Sequence, residues 1–446
     1  MNRRHFILGT AGLAAGAWLM KPEDKGANYS AYFDQLNQSL KQDGPYKPSM
    51  VVDLDRLDIN IDAVSQAITQ PKNFRIVAKS VPSVELIKYT MLRANTHRVM
   101  VFHQPFINVL SREAPTSDML VGKPLPVQAA AQFYQEHRRN PLNNEGLQWL
   151  SNKLSESLGM VMPSSFQPER QLQWLIDTPE RLGNYLALAQ QLNEKMLINI
   201  ELDVGLHRGG VADTETLDIM LRTIANNAQY LQFAGFMGYD PHVVKVPSVI
   251  ASREQLHAKA LGIYQQMIDF TQQHYAALWR DDLTLNAAGS PTYRLYDDIT
   301  MVNDLSVGSA LMKPTDFDID TLTEHVPALF IATPVLKASE GVKIPGSTLV
   351  GDLLSWWDPN QKQTFFIYGG YWKAQPENPP GLQVNPVYGR STNQEMMNGS
   401  KAMNIGVGDH VFLRPTQSEH VMLQFGDLLT SRGGQLTGRW PVFPQS

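Results

Sequence analysis

At 446 residues, 43% hydrophobic and 18% charged, with a formal net charge of -5, the chain is long enough for one large domain and a smaller one. Its body carries no Lys/Arg-rich run, which argues against nucleic acid and anionic membrane surfaces as partners and leaves small molecules. With no cysteine there is no disulfide, no thiolate catalysis and no lipid-modified cysteine.

The opening "MNRRHFILGTAGLAAGAWLM" reads as an export signal rather than as part of a fold. Arg3 and Arg4 precede an apolar and small-residue run from Phe6 to Met20, and the adjacent arginines point to a twin-arginine signal and a periplasmic location. An ordinary Sec signal is the alternative; cleavage after Ala17 or retention as an anchor both fit the run. No other stretch approaches the length of a membrane span. Twin-arginine export carries proteins already folded, which suits a protein that acquires a cofactor before export. Residues 21–48 are polar and read as an N-terminal arm.

From about residue 49 to 314, apolar runs of strand length alternate with helical periodicity. Strands are predicted at "MVVDL" (50–54), "FRIVAKS" (74–80), "RVMVFH" (98–103), "LQWLID" (172–177), "MLINIELD" (196–203), "LQFAGFMGYD" (231–240), "LTLNAAGS" (283–290) and "DLSVGSALM" (304–312). In "TPERLGNYLALAQQLNEK", Asp177 or Thr178 can cap a helix with Pro179 in its first turn. These units predict an α/β fold, a (β/α)8 TIM-type barrel. The runner-up, a doubly wound open sheet, lacks a GxGxxG after its first strand. Residues 113–170 read as an elaborated connection with two inserted helices, and from 315 to 446 short strands with Gly/Pro turns predict a C-terminal all-β domain, its last strands including "DHVFLRP" and "HVMLQFGDLL".

The chemistry of such a barrel sits at the strand ends. In "NFRIVAKSVPS" Lys79 closes a buried strand. A lysine there is commonly a solvated gatekeeper; the sharper reading is an amine desolvated at the barrel mouth and fit to form a Schiff base. "ELDVGLHRGGV" brings Asp203, His207 and Arg208 to the same rim, "GYDPH" brings Tyr239 and His242, and "NAAGSPTY" brings Gly289, Ser290 and Thr292. The last is a turn on the bland reading and a phosphate nest on the other.

Taken together, "VVDLDRLDINI", "RIVAKSVPS", "IELDVGLHRGGV", "GFMGYDPHV", "AAGSPTY" and "NDLSVGS" resemble, in order and spacing, the fold-type III pyridoxal-phosphate enzymes, and within them the D-threonine aldolase and D-serine dehydratase-like branch. The resemblance covers about residues 48–435. It implies that Lys79 holds pyridoxal 5'-phosphate through its amine, that Arg208 lies near the cofactor's phenolic oxygen, that Gly289, Ser290 and Thr292 bind its phosphate, and that Tyr239 and His242 line the substrate side. A free neutral Lys79 amine would serve as base, and burial beside Arg208 would favour that state.

Two departures matter. Alanine racemases place an arginine before the Pro-Gly of the last barrel strand; Ser306, before Val307-Gly308, stands there here, which argues against a strict alanine racemase. The aldolase and dehydratase branch carries a metal pair in Pro-x-His-x-Asp or Pro-x-His-x-Cys; in "RPTQSEHVMLQFGDLL" Gln417 and Glu419 replace it. A neutral amide and a carboxylate suit a hard divalent cation such as Mg2+ or Mn2+. Glu419 acting itself as acid or base, or as an ordinary residue at a strand start, are the alternatives. The implied activity is aldol cleavage or β-elimination of a β-hydroxy D-amino acid, with an amino-acid racemase or epimerase and a non-catalytic pyridoxal-phosphate carrier as rivals. The resemblance also implies a homodimer.

Overall fold

In the computed structural model, which describes residues 21–139 and 148–444, the first strand is β1 (Ser49–Asp53). It is the predicted "MVVDL", but it does not enter the barrel. It pairs antiparallel with β10 (Leu329–Glu340), placing Val51 opposite Phe330, and parallel with β16 (Asp427–Arg432), placing Val51 opposite Leu429. All five of its residues are buried. The arginine pair and the cleavage position of the export signal lie outside the described residues.

The barrel closes instead from β2 (Asn73–Val77), β3 (Arg98–Val101), β4 (Asp118–Val121), β5 (Leu172–Ile176), β6 (Met196–Leu202), β7 (Leu231–Gly238), β8 (Thr284–Ala287) and β9 (Asp304–Val307), every neighbouring pair parallel. β4 lies inside the segment read as helical; the two helices expected there, Val127–Arg139 and Gln148–Leu158, are also present. Helix starts follow their sequence signals. Thr178 accepts from the Arg181 amide with Pro179 in the first turn, while Asp177 pairs with the Arg181 guanidinium at 2.6 Å. Ser252 and Gln255 form a capping box at Arg253–His274.

The barrel's interior is polar below its mouth. Arg75, wholly buried, donates to Asp304 (Nε to Oδ1, 2.7 Å) and to the Asp118 carbonyl at 2.8 Å. Burial alone would raise the Asp118 carboxyl, but Arg75 and Arg98 bring it down to about 2.

The chain divides into two units. One comprises residues 56–328, 418–426 and 440–446 and holds the barrel. The other comprises residues up to 55, 329–417 and 427–439. It holds a nine-stranded sheet of β1, β10, β11 (Gln363–Tyr368), β12 (Ala374–Asn378), β13 (Gln383–Val384), β14 (Gln394–Gly399), β15 (His410–Pro415), β16 and, as far as Arg439, β17 (Gln435–Pro441). The N-terminal arm is structured here: helix Ala31–Asp43 buries Phe33, Leu36 and Leu40 against Val51, Phe330 and Phe412. The predicted strand "HVMLQFGDLL" is in fact a short helix, Glu419–Leu423, followed by β16.

Candidate active site

β2 ends at Val77, and Ala78–Ser80 form a single 3-10 turn that lifts Lys79 onto the C-terminal rim of the barrel. Its Nζ lies 2.8 Å from Oε1 of Glu419 and 4.7 Å from the centroid of the Phe102 ring, the residue after β3. The side chain is 39% exposed, so Lys79 is paired at the rim but not desolvated there, and the partner beside its amine is Glu419. One face of its ammonium meets an aromatic ring and another a carboxylate.

The loop after β6 is fixed by Asp203, whose Oδ1 accepts from the amides of Gly205 (3.0 Å) and His207 (2.9 Å) and whose Oδ2 meets the His207 ring at 3.0 Å. Gly210 takes φ +101, and a Cβ there would lie 2.8 Å from the Asp203 amide nitrogen, so only glycine lets the loop fold back on its strand. This places Arg208 with its Cζ 5.1 Å from the Tyr239 ring. Burial raises the Tyr239 phenol, Arg208 opposes the rise, and Asp240 and Glu419 add to it. Tyr239 thus lies in the fields of both Arg208 and Glu419. His242 packs against the β6 loop, 3.3 Å from where a Cβ on Gly205 would stand. Its Nδ1 is buried with no hydrogen-bond partner among the described residues, and burial lowers its pKa.

Glycines and hydroxyls converge where β8, β9 and β2 end. Ser290 Oγ accepts from the amides of Gly308 (3.1 Å) and Ala310 (3.0 Å), and Ser80 Oγ meets Ser309 Oγ at 3.1 Å. A Cβ on Gly289 would stand 2.5 Å from the Tyr239 ring, and one on Gly308 would stand 2.6 Å from Val77 Cβ. Thr292 sits behind this group: its hydroxyl donates to Asp240 at 2.6 Å and accepts from the Gly289 amide at 3.2 Å. Asp240, also held by the Tyr296 hydroxyl at 2.8 Å, is fully buried, and burial raises its carboxyl despite those two donors. A set of serine hydroxyls and glycines too crowded for a Cβ, beside a rim lysine, fits a phosphorylated cofactor.

All the barrel residues singled out in the sequence, Lys79, Arg208, Tyr239, His242, Gly289, Ser290 and Thr292, are thus on the C-terminal rim. Thr292 supports the nest from within rather than lining it. Gln417 lies at the end of the sheet unit and Glu419 in the barrel unit. Glu419 opens a helix rather than a strand, and its carboxylate is engaged by Lys79. Among the described residues no three His, Cys, Asp or Glu side chains cluster as metal ligands, so the hard-cation pair at Gln417 and Glu419 finds no third donor of that kind. Phe102, Ser80, Ser309 and Glu201 were not legible as site residues. Glu201, near the end of β6, is pushed up to about 7 by burial first and Asp177 second, with Arg208 opposing.

A closed parallel barrel with this rim is the architecture that the resemblance to the fold-type III pyridoxal-phosphate enzymes implied. The chain belongs to the family described as alanine racemase, N-terminal domain, whose model matches residues 52–315. No curated protein matches it. Among solved structures it is similar to D-threonine aldolase from Filomicrobium marinum (16% identity over 89% of this chain and 94% of that one, TM-score 0.65). It is also similar to D-threo-3-hydroxyaspartate dehydratase from Delftia sp. HT23 (15%, 89% and 97%, 0.63) and to alanine racemase from Clostridium difficile 630 (15%, 88% and 98%, 0.63).

Proposed function

We propose that the protein is a lyase that cleaves or dehydrates a β-hydroxy D-amino acid with pyridoxal 5'-phosphate. The observation that carries this reading is the 2.8 Å contact between Lys79 Nζ and Glu419 Oε1 at the rim. Lys79 would hold pyridoxal phosphate through its amine and Gly289, Ser290, Ser80 and Ser309 would hold its phosphate; so bound, the cofactor would supply the electron sink at the substrate's Cα. Lys79 is placed to move the proton at Cα. Glu419 is placed to hold or move the proton at the β-oxygen, which must be lost in aldol cleavage and gained by the leaving group in dehydration. Arg208 orients Tyr239 and balances negative charge at the rim. Ser306, buried and accepting from Asn286 Nδ2 at 2.8 Å, is a neutral group where the racemases of the family place an arginine. That supports a lyase over a racemase.

The test is a panel of D- and L-amino acids, scored for aldehyde, 2-oxo acid and enantiomer release. The wild type and Glu419→Gln are each assayed after EDTA dialysis, with and without Mn2+. The expected protein is yellow, releases aldehyde or 2-oxo acid from β-hydroxy D-amino acids, and keeps its activity in EDTA. Glu419→Gln is expected to fall about 100-fold or more, the usual scale of a proton-transfer group. Enantiomer exchange without cleavage would establish the racemase instead. A colourless or inert protein would remove the lyase reading, and activity lost to EDTA and restored by Mn2+ only in the wild type would return Glu419 to a metal-ligand role.

A further inference from the structure

The helix Thr348–Trp357 of the sheet unit is mounted with its small and polar side inward. Gly351 is buried, and a Cβ there would stand 2.0 Å from the Val342 carbonyl oxygen. Ser355 Oγ accepts from the Val342 amide at 3.1 Å and donates to the Gly351 carbonyl at 2.9 Å. The opposite face is apolar and open: Leu349, Leu353 and Trp356 are 78%, 61% and 68% exposed, spaced as i, i+4 and i+7, with Val350 beside them at 46%. Asp352 borders this stripe. An apolar stripe facing outward on an otherwise ordinary surface marks an interaction site.

What meets it is indicated by where the described chain begins. Lys21 lies with its Nζ 5.6 Å from the centroid of the Trp356 ring, at the end of the stripe. The sequence immediately before it, Phe6–Met20, is a run without a charged residue. At fifteen residues it is shorter than the roughly 20 needed to span a bilayer's hydrocarbon core, so by itself it is a weak anchor. Stable attachment of a weakly anchored protein takes a second contact. Trp at one end of the stripe is the residue that favours the membrane–water boundary. We propose that the outward face of this helix, through Leu349, Leu353 and Trp356, docks on the surface of an electrically neutral phospholipid bilayer. The chain's net charge of -5 and the acidic border at Asp352 mean that apolar insertion, not attraction to anionic lipid, drives the contact.

The full chain is mixed with phosphatidylcholine vesicles and floated on a density gradient, alongside a Leu349→Gln/Leu353→Gln/Trp356→Gln variant. Because all three side chains are exposed, the variant is expected to keep its far-ultraviolet circular dichroism, its yellow colour and its oligomeric state. Its partition onto vesicles is expected to fall about 30-fold, which is ~2 kcal/mol, and wild-type binding should change little between low and high salt. Equal flotation of both proteins would assign all binding to Phe6–Met20 and overturn the proposal. Failure of both to float would overturn it too. A shift of the variant to a smaller oligomer by light scattering would show that a second copy covers the face.

Discussion

Glu201 illustrates what a sequence cannot say about a single residue. It stands two residues before Asp203, in a stretch whose chemistry is otherwise visible, yet nothing local marks it, because its shift from 4.5 to about 7 comes first from burial created by the closed barrel. The same holds for Ser80 and Ser309, which meet although 229 residues separate them. Lys79, Arg208 and the Gly-Ser-Pro-Thr turn were legible because strand ends and glycines leave a local trace. The Glu201 shift has a sign. Below pH 4.5 both folded and unfolded chains hold the proton; between 4.5 and about 7 only the folded chain does. Stability present at low pH is therefore lost as pH rises through about 7, by on the order of 2 kcal/mol after allowing for solvent screening of a partly open side chain. Urea midpoints of wild type and Glu201→Gln at pH 5 and pH 8 are expected to differ in this way: the wild type loses the extra stability and the variant does not. Parallel pH profiles would refute the assignment.

At the scale of elements, the alternation of strands and helices was enough to predict a barrel and a β-rich C-terminal region, but not which strands close the barrel. "MVVDL" is buried along its whole length because it is central in a large sheet, and a strand covered on both faces has the same apolar pattern in a parallel barrel as in a mixed sheet. "DMLV" supplies the missing barrel strand from within residues 113–170, a segment whose two helical patterns make it read as a connection. Inside the barrel, Arg75 is the structural keystone of β2, β4 and β9. Its Nε and Nη2 reach Asp304 at 2.7 and 3.1 Å, and Nη1 reaches Asp118 Oδ1 at 3.3 Å. Removing the cation leaves Asp304, with no exposed side-chain surface, supported mainly by Asn286 Nδ2 and Arg98. Arg75→Met is expected to cost about 3–5 kcal/mol in chemical denaturation. Adding Asp304→Asn should recover part of that loss, because the uncompensated charge goes with it. A single variant as stable as wild type, or a double variant less stable than the single, would contradict this account.

At the scale of the whole molecule, the serine and glycine nest depends on complete folding. The nest unites residues 80, 290, 308 and 309, so it exists only after the last barrel strand has met the first. A chain threaded unfolded across a membrane would have to find its cofactor on the far side. We propose that the protein is instead exported to the periplasm already folded and loaded, under the direction of Arg3 and Arg4, which belong to the sequence outside the described residues. Arg3→Lys combined with Arg4→Lys alters neither the barrel nor its rim, so it should leave a yellow, folded protein in the cytoplasmic fraction, with the cofactor still reducible by borohydride onto Lys79. Cell fractionation, visible absorption and peptide mapping read this directly. If the wild-type chain reaches the periplasm in cells that lack the twin-arginine translocase, it crosses unfolded, and loading before export is wrong. If the double-lysine chain is retained but colourless, retention and loading are separate events, and the order of folding, cofactor capture and export has to be drawn differently.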